Sequence, residues 1–489
     1  MTPEALHFLP AATLVELLAT RRVSSRELLD HFLDRVERLD PNLNAVVALD
    51  AERARRAAHE ADQEIAQRRS WRPLHGLPVT VKDSLETQGL VTTCGSRELA
   101  EHVPGRDADA VALLRAAGAI VFGKTNTPDH GGDIQTRNRV HGVTSNPWDP
   151  GRTPGGSSGG SAAALAAGLT GLELGTDTAG SIRGPAHACG VFGLKPTWGV
   201  VPSRGHVLFP PGWLSAPDVT AVGPLGRSAG DLDLALAVLA APTGEAAVAW
   251  RLQLPGPRHD SVADYRVATW FDDPDAPVGD EVRAVLEDCA GALAASGAVV
   301  RPARPPVDLA HMVRLWERFV WSAPGQAPPH DLWEYACHVE ACPEGADPET
   351  DDRRWARAVA LRHRDWVALD EERRRLRAAY ADFFRRYDAL LAPVMPIPAF
   401  AHLDRDVEDA ASATLDVDGA ALPYWDATRW CAGFGALQLP AASVPAGRTR
   451  HGLPVGVQVV GPYLEDRTVI AVARHIERSV GPFVPPPGW

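Results

Sequence analysis

The sequence contains few cysteines, and their spacing argues against a disulfide scaffold. The six cysteines are scattered through 489 residues, and no two of them form a C-x-x-C pair. A long chain with isolated cysteines is typical of a protein with reduced thiols in its core, so we expect a cytoplasmic protein. The one local group with metal-binding character, Cys337, His338 and Cys342, lacks a second ligand pair nearby. We therefore expect neither a metal nor another cofactor.

Positive charge and long apolar runs are also scarce. Acidic residues outnumber basic residues by 62 to 49, which gives a formal net charge of −13 at pH 7. Phosphate contacts need clustered lysine and arginine, so this balance disfavours a nucleic-acid partner. No apolar run reaches the length of a membrane-spanning helix, and Glu16 interrupts the apolar stretch near the N-terminus, which lacks the basic opening of a signal peptide. We expect no membrane partner.

Helical and extended patterns alternate along most of the chain, which indicates an α/β protein. Strands are predicted at 77–81, 119–122, 172–175, 191–194, 265–270, 389–392 and 452–461. Helices are predicted at 11–69, 108–117, 161–168, 232–239, 281–296, 351–387 and 465–478. We predict a mixed central β-sheet flanked by helices. No break in composition divides the 489 residues, so a single domain is favoured over two.

Two sequence patterns match known motifs but lack the structural setting that those motifs need. Residues 118–125 (GAIVFGKT) fit the phosphate-binding pattern G-x-x-x-x-G-K-T, yet the residues between the glycines are apolar and β-prone. Residues 155–159 (GGSSG) fit the nucleophile-elbow pattern G-x-S-x-G, yet the preceding segment 148–154 (WDPGRTP) is no strand. Nucleotide binding is therefore rejected. A Ser-His-Asp site stays an alternative, although none of the 17 histidines lies in a suggestive setting.

The stretch 151–183 contains two small-residue turns that carry serines, GGSSGG at 155–160 and TDTAGS at 176–181. Glycines let a backbone approach a ligand closely, so two such turns can place hydroxyls and N–H groups around one point. Lys82 ends a predicted strand, where burial favours the neutral amine that can act as a base toward a serine. The alternatives are that Lys82 pairs with Asp83 and that Ser157, Ser158 and Ser161 cap a helix over 162–167.

Several motifs in order resemble the amidase signature family. They are GLPVTVKD at 76–83, GKTN at 123–126, PGGSSGGS at 154–161, GTDTAGSIR at 175–183, GLKPT at 193–197, GPL at 223–225, SVP at 443–445 and GLPVGVQ at 452–458. The likeness covers about residues 70–230 and again about 430–475. The resemblance implies the amidase-signature fold, and it divides the single domain into a helical N-terminal segment (about 1–69), a signature core (about 70–230), a variable substrate-pocket region (about 231–429) and a C-terminal return to the core (about 430–489).

The resemblance also implies a Ser–cis-Ser–Lys triad. Carried over to this chain, Ser181 is the nucleophile and Lys82 is the base. Ser157, which would follow a cis peptide bond, relays the proton between them. The backbone N–H groups of four residues would form the oxyanion hole: Thr178, Ala179, Gly180 and Ser181. Three further residues would support the loop: Ser158, Asp177 and Arg183.

One residue departs from the family pattern. Ala179 stands where the family very often has glycine, and alanine restricts the backbone dihedral φ. The loop must therefore pass this residue with negative φ or accept strain.

The activity implied by the resemblance is hydrolysis of a carboxylic amide C–N bond through an acyl-enzyme, with a small-molecule substrate. Three alternatives stay open: a carbamate or ester hydrolase of the same family, the amidase component of a glutamine-dependent tRNA amidotransferase, and a non-catalytic homologue. The acidic net charge disfavours the tRNA complex, and the intact Lys82, Ser157 and Ser181 disfavour the non-catalytic homologue. The resemblance further implies a homodimer.

The region between the matched blocks is rich in aromatic residues, which can form a pocket for bulky or aryl substrates. The candidates for its lining are Trp198, Phe209, Trp213, Trp316, Phe319, Trp321, Trp333, Tyr335, Tyr424, Trp425 and Trp430.

Overall fold

The computed structural model describes residues 3–67, 71–207, 211–323, 334, 337, 351–404 and 413–489. Within these ranges, one sheet contains eleven strands. They are β1 (Val46–Leu49), β2 (Pro78–Lys82), β3 (Ile120–Thr125), β6 (Glu173–Asp177), β7 (Phe192–Lys195), β8 (Ala221–Gly226), β9 (Arg266–Thr269), β10 (Val299–Pro302), β11 (Ala389–Pro393), β14 (Ala441–Arg448) and β15 (Pro454–Val460). Their order in the sheet is β1-β3-β2-β6-β8-β7-β14-β15-β11-β9-β10. Two small hairpins lie outside it, β4 (Arg137–Asn138) with β5 (Gly142–Val143) and β12 (Thr414–Val417) with β13 (Ala420–Pro423).

Helices flank this sheet. They are α1 (Ala11–Ala19), α2 (Ser25–Leu39), α3 (Ala51–Ala66), α4 (Asp109–Ala116), α5 (Gly159–Ala166), α6 (Arg183–Cys189), α7 (Ala229–Leu239), α8 (Ala246–Ala249), α9 (Asp280–Ala295), α10 (Leu309–Trp321), α11 (Asp351–Val359), α12 (His363–Phe384), α13 (Arg429–Ala436) and α14 (Asp466–Val480). Of the helices in the described ranges, none is long and apolar enough to cross a membrane.

Local sequence explains where several of these helices begin. The Ser24 hydroxyl accepts a hydrogen bond from the Glu27 N–H, and the Glu27 carboxylate accepts one from the Ser24 N–H, so a capping box starts α2. The Ser228 hydroxyl accepts from the Asp231 N–H in the same way at the start of α7. These contacts satisfy N–H groups that the first turn of a helix leaves without partners.

The pairing directions of the sheet bring the two predicted catalytic regions together. Strand β2 runs parallel to both β3 and β6, with Thr80 opposite Glu173 and Val81 opposite Leu174. All five residues of β2 and all five of β6 are buried, as expected for the centre of a sheet that is covered on both faces. Because parallel neighbours end at the same edge, Lys82 at the end of β2 lies beside the turn that follows β6.

The fold class predicted from the sequence is confirmed: the sheet is mixed, because β6-β8-β7-β14-β15-β11 pair antiparallel in succession, and helices flank it. Two details of the prediction are wrong. Residues 46–49 form an edge strand rather than part of a helix, because they pair with β3. The helical pattern at 351–387 is two helices, α11 and α12, with a break at 360–362.

The strands and helices that the sequence did not predict are mostly short or contain glycine and proline. They are β4, β5, β8, β10, β12, β13, β14, α6, α8, α10 and α13. Strand β8 (AVGPLG) and strand β14 (AASVPAGR) have no clear alternation, and pairing with neighbours on both sides holds them in the sheet. The assignment of the whole chain to a single domain stays a prediction.

Candidate active site

Lys82 is fully buried at the end of β2, and its side-chain nitrogen meets two hydroxyls. Its Nζ donates to Ser157 Oγ at 2.6 Å and to Thr176 Oγ1 at 2.9 Å. Burial lowers the pKa of Lys82 to about 7, against the smaller opposing effects of Cys94 and Asp177. A lysine with this pKa is substantially neutral near pH 7 and can accept a proton.

The alternative in which Lys82 pairs with Asp83 is wrong. Asp83 instead accepts hydrogen bonds from the Thr93 N–H and hydroxyl, and its Oδ1 lies 3.8 Å from Lys124 Nζ. Lys124 is itself buried, and its ammonium donates to the Leu85 carbonyl and to two threonine hydroxyls. The lysine of the GKT pattern therefore lies in β3 with its donors used inside the protein. The prediction that this segment is a strand rather than a loop is confirmed.

Ser157 follows a cis peptide bond, Gly156–Ser157. The glycines around it allow a close approach of neighbouring backbone: a Cβ on Gly156 would lie 2.3 Å from the Asp133 carbonyl oxygen. On another side, a Cβ on Gly131 would lie only 3.4 Å from Ser157 Oγ. The absence of side chains at these positions leaves room for the buried Ser157 hydroxyl in a densely packed turn.

The two serine turns meet through their backbones. The Ser158 N–H donates to the Ser181 carbonyl at 3.0 Å, and the Ser158 hydroxyl donates to the Thr176 carbonyl at 3.3 Å. Ser158 occupies the N-cap position of α5, but its side chain makes no capping hydrogen bond. Ser161 lies inside α5, and its hydroxyl lies 2.9 Å from Thr125 Oγ1. The helix-capping alternative for Ser158 and Ser161 is therefore wrong, because both hydroxyls face the sheet.

Asp177 and Arg183 form a fully buried ion pair next to Ser181. The Arg183 guanidinium donates to both carboxylate oxygens, at 2.7 and 2.9 Å, and the N–H groups of Ile182 and Arg183 also donate to Asp177. Burial alone would raise the pKa of Asp177, but the Arg183 charge and these hydrogen bonds lower it to about 2. The pair therefore fixes the turn that carries Ser181.

The N–H groups of residues 178–181 are not equivalent. The Gly180 N–H donates to Asp177 Oδ1 at 2.9 Å, so it is already used within the protein. In the described part of the chain, the N–H groups of Thr178, Ala179 and Ser181 have no hydrogen-bond partner. The positive φ of this loop falls on Gly180, at 112°, and Ala179 avoids the left-handed region. Alanine at position 179 therefore fits the loop without backbone strain.

A cavity of about 580 Å³ opens over this loop. Thr178, Ala179, Gly180 and Ser181 line it together with Gly155 and Gly156, and Ser181 is partly exposed there. Large apolar side chains form much of the remaining wall: Ile134, Val313, Trp316, Val320, Trp321, Trp355, Met395, Ile397, Phe400, Tyr424 and Trp425. A concave, mostly apolar site with a few polar groups is typical of a small-molecule pocket.

The structure divides the predicted aromatic residues into two groups. Four line the cavity: Trp316, Trp321, Tyr424 and Trp425. Four others are not part of the cavity wall. Trp430 packs edge-to-face on Trp270, and Phe319 lies under the guanidinium of Arg373. The Trp198 indole N–H donates to the Pro217 carbonyl, and Trp213 is partly exposed away from the cavity. Phe209, Trp333 and Tyr335 lie outside the described residues, as do His338 and Cys342 of the weak metal-like group.

Sequence reasoning missed two large aromatic residues of the cavity, Trp355 and Phe400, and a hydroxyl partner of Lys82, Thr176. Trp355 lies in a charged helical pattern that indicated a solvated surface. Thr176 could have been found, because it immediately follows the buried end of a predicted strand. In the described ranges, no group of three His, Cys, Asp or Glu side chains is placed to hold a metal ion.

Comparison with known proteins places the chain in a family. A model of the Amidase family matches residues 27–470. The chain is 34% identical to a glutamyl-tRNA(Gln) amidotransferase subunit from Anaeromyxobacter sp. (strain K), with 96% of each protein covered. It is 32% identical to an acylamidase of Rhodococcus erythropolis, with 98% of this chain and 96% of that protein covered. A solved bacterial aryl acylamidase superposes with a TM-score of 0.78 at 26% identity over 97% of this chain and 96% of the other. The chain belongs to the amidase signature family.

Proposed function

We propose that this protein is a serine hydrolase that cleaves a carboxylic amide C–N bond through an acyl-enzyme. Membership of the amidase family supports amide hydrolysis in general. The observation that carries the catalytic assignment is the 2.6 Å contact between Lys82 Nζ and Ser157 Oγ in the protein interior, beside the cavity that Ser181 lines.

In the proposed reaction, Ser181 Oγ attacks the amide carbonyl carbon while its proton passes to Ser157 and the Ser157 proton passes to neutral Lys82. The tetrahedral intermediate collapses when the C–N bond breaks, and Lys82 returns the proton through Ser157 to the leaving nitrogen. An amine leaves, and Ser181 stays acylated. Water then attacks the ester by the same relay and releases the carboxylate. Lys82 is suited to both directions because its pKa of about 7 lies near the working pH.

We assign the oxyanion hole chiefly to the N–H groups of Thr178, Ala179 and Ser181. These three are free of hydrogen bonds inside the described part of the chain, whereas the Gly180 N–H is taken by Asp177. Donors that already point at the developing oxyanion stabilise it without reorganisation, and one such donor contributes about 2.7–4 kcal/mol in other hydrolases. Asp177, Arg183 and Ser158 hold the loop in this arrangement.

The aromatic wall of the cavity supports a bulky or aryl amide as substrate. Four tryptophans and Phe400 contribute large flat surfaces to a space of about 580 Å³, which exceeds the needs of a small aliphatic amide. The acylamidase relative and the aryl acylamidase structure are consistent with this substrate class. A carbamate or ester of similar shape would fit the same cavity and the same chemistry.

A second candidate function is the amidase component of a tRNA amidotransferase, because relatives of 33–34% identity are named as glutamyl-tRNA(Gln) amidotransferase subunits. Such a protein would draw ammonia from glutamine and act in a complex. The cavity wall also includes the charged residues Glu317, Arg354, Asp426 and Arg429, so turnover by the isolated chain, rather than the character of the wall, decides between the two functions.

A substrate panel separates these possibilities. Purified protein would be assayed alone on an anilide, a matched carbamate, a matched ester, a small aliphatic amide and glutamine. We expect the isolated chain to turn over the anilide or the carbamate and to be a poor catalyst for glutamine. Turnover of glutamine and of no other substrate in the panel would favour the amidotransferase function.

A further inference from the structure

The indole of Trp316 binds the loop that carries the proposed oxyanion donors. Its Nε1 donates a hydrogen bond to the Thr178 carbonyl at 2.9 Å, and its ring is part of the cavity wall. Trp316 lies on α10 in the predicted substrate-pocket region, 138 residues from Thr178 in the chain. The residue therefore contacts both the substrate space and the backbone of the loop.

The hydrogen bond constrains an N–H group on the opposite side of the same peptide. The Thr178 carbonyl and the Ala179 N–H belong to one planar unit, and among the described residues Gly156–Ser157 is the one cis peptide. In a trans peptide the C=O and N–H point in opposite directions. A partner that holds the Thr178 carbonyl therefore also sets the direction of the Ala179 N–H.

Helix α13 also contacts the loop. A Cβ on Gly435 would lie 3.2 Å from the Thr178 oxygen and 3.8 Å from Trp316 Cδ1, so glycine leaves room for the carbonyl and the indole. Cys431, one turn earlier, packs against Gly180, where a Cβ would come within 2.8 Å of the Cys431 Cβ. Residues of both helices therefore contact the loop.

We propose that Trp316 is a positioning residue for hydrolysis: its indole N–H holds the Thr178–Ala179 peptide so that the Ala179 N–H faces the reacting carbonyl. The same ring forms part of the wall against which the substrate packs. This role rests on the proposed function, because it presumes that residues 178–181 receive the oxyanion. It does not require Trp316 to take part in proton transfer.

The matched variants are Trp316→Phe and Trp321→Phe. The first removes the N–H and keeps an aromatic ring; the second makes the same change in the same cavity, on the same helix, at an indole that does not bind Thr178. For Trp316→Phe we expect kcat on the best panel substrate to fall roughly fivefold to tenfold, the size of one hydrogen bond, with KM changed less than about twofold. Trp321→Phe should change KM more than kcat. A kcat for Trp316→Phe within about twofold of wild type would overturn the role.

Gly435→Ala tests the same peptide independently of the indole. The new methyl group would press on the Thr178 oxygen, and alanine is compatible with the helix. We expect the kcat loss of Trp316→Phe to recur in this variant, again with little change in KM. If Gly435→Ala folds with the stability expected for alanine in a helix and its kcat is unchanged, the result contradicts a dependence of turnover on the Thr178 carbonyl.

Amide hydrogen exchange measures the loop without any substrate. We expect the segment containing residues 178–181 to exchange roughly fivefold to tenfold faster in Trp316→Phe than in wild type, and at the wild-type rate in Trp321→Phe. Unchanged exchange in Trp316→Phe would overturn the positioning role of Trp316 and leave the proposed function standing. A wild-type protein that cleaves nothing in the panel would instead overturn the proposed function, and the exchange rates would still decide whether Trp316 holds the loop.

Discussion

The amine nitrogen of Lys82 and the hydroxyl oxygen of Ser157 lie 2.6 Å apart, and both side chains are buried. The contact joins residues 75 positions apart in the chain. Nearly complete exclusion of water explains why Lys82 loses its proton so easily, since burial disfavours the charged amine. This relationship determines how the activity should depend on pH.

The first prediction concerns that pH dependence. Because the pKa of Lys82 is lowered from its ordinary 10.5 to about 7, the neutral amine is the form present above about pH 7. We expect kcat/KM to rise with pH and to level off above an apparent pKa near 7, as measured by initial rates from about pH 5 to 9. Lys82→Met should lose roughly 10²–10⁴ in rate, the usual contribution of a general base.

Lys124→Met is the control for removing a buried amine. Lys124 is as buried as Lys82, and burial lowers its pKa to about 8, but its donors serve Leu85, Thr87 and Thr92. Lys124→Met should be less stable than wild type. The folded fraction should keep the acid limb of the pH profile, the fall in kcat/KM below about pH 7. A wild-type profile without an acid limb near pH 7 would contradict the role of Lys82.

The buried ion pair beside Ser181 leads to a prediction about stability. Asp177→Asn would leave the buried Arg183 charge without its partner, and breaking such a pair costs about 3–5 kcal/mol. Denaturant unfolding should show a loss of that size together with a loss of turnover. The exposed i,i+4 pair of Arg38 with Asp34 gives the control, because Asp34→Asn should change the free energy of unfolding by less than about 1 kcal/mol. Equal effects of the two changes would contradict the role assigned to the ion pair in this loop.

Gly180 is predicted to be intolerant of any side chain. Its φ of 112° favours glycine, and a Cβ would come within 2.8 Å of the Cys431 Cβ. Gly180→Ala should therefore lower both stability and kcat, measured by unfolding and by initial rates. Gly419 also has positive φ, 86°, but no atom lies within 4 Å of its Cβ position. Gly419→Ala should cost about 1 kcal/mol of stability and leave kcat unchanged; a similar kcat loss in both variants would argue against a specific role for the 178–181 loop.

The aromatic wall predicts a preference for large substrates. Trp425 lines the cavity while 41% of it remains exposed, so a substrate can still cover its surface. Trp425→Ala should lower kcat/KM for an anilide roughly tenfold and change it little for a small aliphatic amide. Trp250 is 72% exposed and is not part of the cavity wall, so Trp250→Ala should leave both values unchanged. An equal loss on both substrates would contradict an aryl-binding role for Trp425.

Much of the catalytic geometry could be predicted from sequence because the relevant residues lie at the ends of strongly patterned strands. Lys82 ends an apolar strand, and the TDTAGS turn follows another, so two parallel strands bring them to one edge of the sheet. The roles of Ser181, Ser157 and Lys82 themselves stay predictions until variants are measured.

The cavity wall could be predicted only in part, through four of its aromatic residues, because its residues come from segments whose neighbours are set only by packing. Trp316 meets Thr178 across 138 positions, and Trp355 comes from a charge-rich helix whose sequence resembles a solvated surface. The hydrogen bond from the Gly180 N–H to Asp177 could not be predicted from the sequence either. This hydrogen bond forms because the Asp177 carboxylate folds back along the loop, and no sequence pattern predicts that conformation.

The most direct test is to identify the residue that becomes acylated. Wild-type protein would be mixed with an activated aryl ester or carbamate that loses its leaving group quickly, quenched in acid, and digested for peptide mass mapping. We predict that the acyl group is found on Ser181, that Ser181→Ala gains no acyl mass and has no turnover, and that Ser157→Ala acylates far more slowly. Acylation of a different residue, or wild-type-like turnover by Ser181→Ala, would contradict the proposed mechanism.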